Sequence, residues 1–281
     1  MLRKKIKQTI KTSKHNVGFE DAMMTIGGHL EELRQMLFRV LAVSVVITLL
    51  VFYLKDITWQ LLLAPSEWDF CTYRWIEQIV LWMGIDFHFN EFHVEMIATD
   101  LSSQFITHIT TAFYLGMLGA SPYILYELFR FISPALYENE RKFSVLVTGI
   151  IYVLFILGVL MSYFVLFPIS FRFLGTYSVS ERVVSNITLD SYIRTFVSLT
   201  LVMGVVFQLP MIAFFLGKMR IVSSSMLANY RKHSFIVIMM IAAIITPPDL
   251  MTLILVTIPL YLLYEISIRV VKWVEPQKLR Y

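Results

Sequence analysis

Long apolar runs, separated by short polar stretches, dominate the chain. Residues 36–54, "MLFRVLAVSVVITLLVFYL", carry one charge, Arg39, which is near enough to the end to snorkel. A spanning helix needs about 20 mostly apolar residues, so this run predicts a first span. Runs over 105–130, 143–167 and 192–216 predict three more. Pro122 is expected to kink the second and Pro210 the fourth, because proline removes a helix hydrogen bond and crowds the preceding turn. Pro168 is expected to close the third. Residues 55–104 read as a folded aqueous loop, within which "HFNEFHVE" (88–95) alternates polar and apolar positions as an exposed strand does.

The last apolar region has a different pattern. "FIVIMMIAAII" (235–245) gives only ~17 Å of helix at about 1.5 Å per residue, well short of the ~30 Å hydrocarbon core. "TPPD" (246–249) follows, and two successive prolines do not fit a continuous helix. The region therefore reads as a short hairpin, its arms at about 234–246 and 250–270. The sum is an all-α integral membrane protein with six transmembrane helices.

Composition agrees. The chain is 57% hydrophobic and 16% charged, with a mean hydropathy of +0.69, against about 25% charged residues in soluble domains. Charge orients the spans. Of the 24 Lys and Arg, 19 fall in segments 1–39, 130–142, 218–233 and 269–280. The other five are Lys55, Arg74, Arg172, Arg182 and Arg194. By the positive-inside rule both termini are cytoplasmic. The basic opening "MLRKKIKQTIKTSK" lacks the nearby apolar stretch of a signal peptide. It reads as a cytoplasmic tail over 1–28, with a membrane domain over 29–271 and a second tail over 272–281. Cys71 is alone, which excludes an intrachain disulfide and a cysteine metal cluster. No internal repeat is apparent, which disfavours the common secondary transporters.

Candidate chemistry lies in the few acids. Beyond the tail the cytoplasmic face shows Glu31, Glu32, Glu138, Glu140 and Glu275. Their local explanation is that Glu31 or Glu32 neutralises a first helical turn, and that Glu140 pairs with Arg141 or Arg34. The functional explanation is a cationic ligand, since a guanidinium meets a carboxylate through two parallel hydrogen bonds. In or beside the spans lie Glu127, Gln208, Asp249 and Glu265, and polar groups at that depth are functional candidates. Arg130 and Arg269, three and four residues on, are the expected helix-face partners of Glu127 and Glu265. Gln208 sits just before Pro210, where a freed carbonyl opens a polar spot. His88, Glu91, His93 and Glu95 make only a weak metal pattern. No phosphate loop, HExxH, GxSxG or nucleic-acid-binding stretch is present, so neither an enzyme nor a cofactor is expected.

Five motifs occur in a fixed order: "HLEELRQML" (29–37), "MIATDLSSQF" (96–105), "FISPALYENERK" (131–142), "GVVFQLP" (204–210) and "ITPPD" (245–249). With "YEI" at 264–266, they resemble the TatC family, the multispanning receptor subunit of the twin-arginine protein translocase. The resemblance runs from about residue 25 to about residue 270. It implies a glove-like bundle in the cytoplasmic (inner) membrane. Such a protein binds twin-arginine signal peptides and exports folded proteins with the proton-motive force. The implied partners are those peptides, single-span TatA/TatB-type subunits, further copies of the chain and membrane lipid. The family's recognition glutamates carry over onto Glu32 and Glu140, with Arg34 as their neighbour. Gln208 stands where many relatives have glutamate and still hydrogen-bonds a partner helix, although it cannot ionise. Gln104 replaces a proline frequent in the family. The rival reading is a secondary transporter of a small cationic solute, which calls for a charged path near the bilayer midplane.

Overall fold

The computed structural model describes residues 26–86, 91–92, 94–136, 141–178, 180, 186–246 and 249–275. Nearly all of them are helical. The first helix, α1 (Ile26–Tyr53), begins ten residues before the apolar run, so the whole of "HLEELRQML" lies on its opening turns. The 55–104 segment holds α2 (Lys55–Leu63) and α3 (Cys71–Trp82). Residues 91, 92, 94 and 95 form no strand; 87–90 and 93 lie outside the described residues. The strand is instead β1 (Met96–Ile97), which pairs in parallel with β2 (Ile187–Thr188), Met96 opposite Ile187.

Between the two strands run three long elements. α4 (Ser103–Leu136) remains helical through Pro122. α5 (Arg141–Met161) does not stop at Pro168 as the sequence suggests. It widens into a π-turn over Ser162–Leu166 and continues as α6 (Phe167–Thr176). Pro168 has no N–H to return to the carbonyl of Phe164, and that carbonyl accepts the Thr72 hydroxyl from α3 instead. The extra residue of the π-turn absorbs the ring while the helix continues.

Pro210 acts differently. α7 (Leu189–Val206) stops, Phe207 and Gln208 form a turn, and α8 (Leu209–Lys218) restarts with Pro210 among its first residues. There a missing N–H costs nothing, since the first-turn donors have no partner inside the helix. The chain closes with α9 (Ser224–Asn229), α10 (Arg231–Ile245) and α11 (Leu250–Val274). α10 has 15 residues, ~22 Å of helix. It is longer than the apolar run alone but still shorter than a bilayer core. Pro247 and Pro248 lie outside the described residues.

Among the described residues, four helical stretches are long and apolar enough to cross a membrane: Leu30–Tyr53, Leu146–Thr176, Leu189–Lys218 and Leu250–Val274. α4 has the length, at 34 residues, but carries buried Thr107, Thr111, Ser121 and Glu127.

Long-range contacts define two ends of the bundle. At one, α2 and α3 cap α6 and α7. The Tyr73 hydroxyl lies 2.9 Å from the Pro168 carbonyl, and Tyr192 donates to the Leu62 carbonyl at 2.6 Å. Burial pushes the Tyr73 phenol up, opposed by the Arg172 guanidinium lying 5.1 Å over its ring, so the hydroxyl stays a donor. Phe167, Phe171, Tyr192 and Phe196 pack edge-to-face beneath this cap. At the other end Phe129, Val147, Ile151, Met211 and Phe214 join α4, α5 and α8 in a second apolar core.

Helices approach closely where glycine removes the side chain. A Cβ on Gly158 would stand 2.5 Å from the Met203 carbonyl oxygen, and one on Gly116 would stand 2.6 Å from the Thr48 Cα. A Cβ on Gly149 would meet nothing within 4 Å. Gly158→Ala is therefore expected to lower stability by about 1–3 kcal/mol through overpacking. Gly149→Ala on the same helix is expected to be neutral or to stabilise by up to about 1 kcal/mol. Thermal unfolding of both variants in detergent checks the contrast.

Candidate functional site

The acidic stretch that precedes the first apolar run forms a helical ridge. Glu31 accepts from Arg34 at 2.7 Å and from Gln35 at 3.2 Å. Arg34 is thus committed to Glu31 rather than to Glu32, the neighbour expected of it. Glu32 is exposed, takes part in no ion pair among the described residues, and lies beyond the first turn of α1, which contains no acid. The local explanation offered for this carboxylate, the helix dipole, therefore does not hold for Glu32. Glu138 and Glu140 lie outside the described residues; the helices on either side of them are α4 and α5.

Two turns further along α1, ~10 Å by helix rise, Arg39 does not snorkel freely. It donates to Glu127 of α4 at 3.1 Å, and Tyr123 donates to the other carboxylate oxygen at 3.0 Å. Glu127 is 3% exposed, whereas the Arg39 side chain is 46% exposed. Glu265 is held in the same manner. Arg231 of α10 grips it through Nε at 2.7 Å and a terminal nitrogen at 3.1 Å, with Tyr261 at 3.3 Å. The expected helix-face partners, Arg130 and Arg269, are displaced in both cases. An arginine from another helix can face the carboxylate directly, whereas an i+3 or i+4 partner must bend along the surface.

The tyrosines were missed by the sequence reading, yet the signal was there. "YILYE" (123–127) and "YLLYE" (261–265) place a tyrosine four residues before each glutamate, one helical turn away on the same face.

The remaining polar candidates are each half committed. The Gln208 side-chain amide donates to the Ile151 carbonyl of α5 at 3.1 Å, and its Oε1 is buried without a partner among the described residues. Pro210 beside it is buried. Asp249 caps α11, accepting from the Thr252 N–H at 2.7 Å through Oδ1, while Oδ2 is buried and unbonded among the described residues. Glu275 binds the Ser224 amide and hydroxyl, both at 2.6 Å. Among the described residues no group of His, Cys, Asp and Glu is arranged to hold a metal. Of the sequence candidates, then, Glu32 is exposed at one end of α1 and has no ion-pair partner among the described residues. The structure consumes Arg34, Glu265 and one half each of Gln208 and Asp249 in local or interhelical bonds.

Comparison with known proteins gives this geometry a context. The family model for the Sec-independent protein translocase protein (TatC) matches residues 28–259. A Sec-independent protein translocase protein TatC from a Blattabacterium of Periplaneta americana is 34% identical over 254 residues. That match covers 89% of this chain and 96% of the relative. TatCy of Bacillus subtilis strain 168 is 38% identical over 175 residues, 62% of this chain and 69% of that one. A crystal structure of the twin arginine translocase receptor TatC superposes with a TM-score of 0.69 at 30% identity, covering 88% of this chain and 99% of the other.

The unequal exposure of the Arg39–Glu127 pair makes its two halves unequal in effect. Arg39→Ala strands a buried carboxylate and is expected to cost about 3–5 kcal/mol. Glu127→Gln leaves an arginine that reaches water, and is expected to cost less than half as much. Thermal melts of the two single variants and of the double variant, read as a cycle, measure the asymmetry.

Proposed function

The chain belongs to the TatC family of Sec-independent protein translocase proteins, and on that footing we propose that it is the receptor subunit that binds twin-arginine signal peptides. It is a multi-pass membrane protein of the twin-arginine translocase. In the proposed reading six stretches cross the membrane: α1, α4, α5 with α6, α7 with α8, α10 and α11. Both termini face the cytoplasm of a cell whose inner membrane holds the protein, as the distribution of Lys and Arg supports. The membrane domain spans 29–271, with basic tails over 1–28 and 272–281.

The observation that carries the reading is the exposed carboxylate of Glu32 on the opening turns of α1, which has no ion-pair partner among the described residues. Glu32 and Glu140 together accept the two signal arginines through paired, charge-assisted hydrogen bonds. Arg34, tied to Glu31, keeps a second acid on the ridge neutralised. The folded precursor then crosses with single-span TatA/TatB-type subunits, driven by the proton-motive force. Further copies of this chain complete the assembly.

Photo-cross-linking of a twin-arginine signal peptide to membranes containing the full chain tests this. Glu32→Ala and Glu140→Ala are each expected to reduce the adduct at least thirty-fold, since losing one partner of a desolvated charge pair costs about 2–5 kcal/mol. Replacing the two signal arginines by lysines is expected to weaken it as well, because lysine lacks the planar fork. Parental cross-linking in both glutamate variants overturns the assignment.

Gln208 has a proposed role in assembly. Its amide is committed to α5, and its Oε1 has no partner among the described residues; in the proposed reading a partner's transmembrane helix donates to it. Such interhelical bonds are worth about 0.6–2 kcal/mol. Gln208→Leu is therefore expected to give partial loss of co-purified single-span subunits, and Gln208→Glu close to parental recovery. Full recovery with the leucine variant shows that the oxygen has no partner there.

A further inference from the structure

A cavity of about 410 Å³ opens at the end of the bundle capped by α2 and α3. Lys55, Trp59 and Leu63 of α2 line it, with Gln104 and His108 of α4 and Leu189 of α7. The polar and apolar parts of its lining are both unassigned by the signal-peptide reading. Lys55 is exposed and in no ion pair among the described residues. The His108 ring is fixed by stacking on Phe52, centroids 4.3 Å apart and 13° from parallel, with Trp59 at 6.3 Å. Its Nε2 is buried and has no partner among the described residues. A buried imidazole nitrogen without a partner is costly, and an ammonium, an imidazole N–H and a side-chain amide around one cavity are a donor set for an anion.

Depth identifies the anion's carrier. The candidate span Leu30–Tyr53 ends beside the cavity, and Leu189–Lys218 begins at one of its walls. The site therefore sits where apolar helix gives way to polar chain, the level of lipid headgroups, and Trp favours that level. A soluble phosphate would leave the Leu63, Trp59 and Leu189 walls unused.

We infer that this cavity binds the phosphodiester of an anionic phospholipid. Lys55, Gln104 and His108 hold the headgroup, and the apolar walls take the start of an acyl chain. The inference is independent of how signal peptides are recognised, because the cavity and Glu32 lie at opposite ends of α1.

Native mass spectrometry of the full chain in non-ionic detergent provides the test, with dioleoyl phosphatidylglycerol, dioleoyl phosphatidylcholine and soluble glycerophosphoglycerol as probes. Expected is retention of phosphatidylglycerol at least tenfold over phosphatidylcholine, with the soluble headgroup failing to compete. Lys55→Ala and His108→Leu are each expected to weaken retention by about tenfold, the size of one charge-assisted hydrogen bond. Lys272→Ala, a cation at the opposite end, is expected to leave retention unchanged. Lys55 is exposed, so its variant keeps the fold if the His108 variant does not. Equal retention of the two lipids, or parental retention in Lys55→Ala, overturns the site. Competition by glycerophosphoglycerol at the concentration of the lipid overturns the lipid as carrier.

Discussion

In hydrocarbon no water stands ready to receive a backbone carbonyl that has lost its donor, and this constraint shapes the molecule at Pro168 and Pro210. At Pro168 the freed Phe164 carbonyl is satisfied from outside the helix by Thr72, which ties the α2–α3 cap to the bundle. The tyrosines of the same region do similar work, bringing Tyr73 to Pro168 and Tyr192 to Leu62. At Pro210 the chain breaks instead, and the break places Gln208 against α5. One residue type thus gives a continuous bent helix in one place and a polar turn in the other.

The same requirement governs the carboxylates. A buried ionised acid must be both paired and hydrogen-bonded. Glu127, buried, meets this with an arginine from a different helix and a tyrosine from the preceding turn, and half-buried Glu265 has the same two kinds of partner. These two clamps pin α1 to α4 and α10 to α11. In a bundle whose helices gain little from apolar contact with one another in lipid, they fix which helix faces which. They also leave the surface acid of α1, Glu32, without an ion-pair partner among the described residues. A binding site for guanidinium requires a carboxylate that the fold has not already neutralised.

Two buried polar atoms are left without a partner among the described residues while the rest of their side chain is held. Gln208 Oε1 lies toward the bundle's middle and His108 Nε2 at its capped end. Each has a committed neighbour that holds the side chain in place: the Ile151 carbonyl for Gln208 and the Phe52 ring for His108.

The sequence by itself determined the helical class, the apolar stretches and the family, because these follow from run length, proline positions and short motifs in order. It also placed Glu32 just ahead of the first apolar run. It misjudged Pro168, where the donor to the freed Phe164 carbonyl is a threonine 96 positions before the proline. It paired Glu127 with Arg130 and Glu265 with Arg269, since only neighbours within one helix are visible in a linear pattern. Which helices lie side by side decided the actual partners, Arg39 and Arg231. The cavity around His108 was equally invisible, because its walls come from α2, α4 and α7, brought together only by packing.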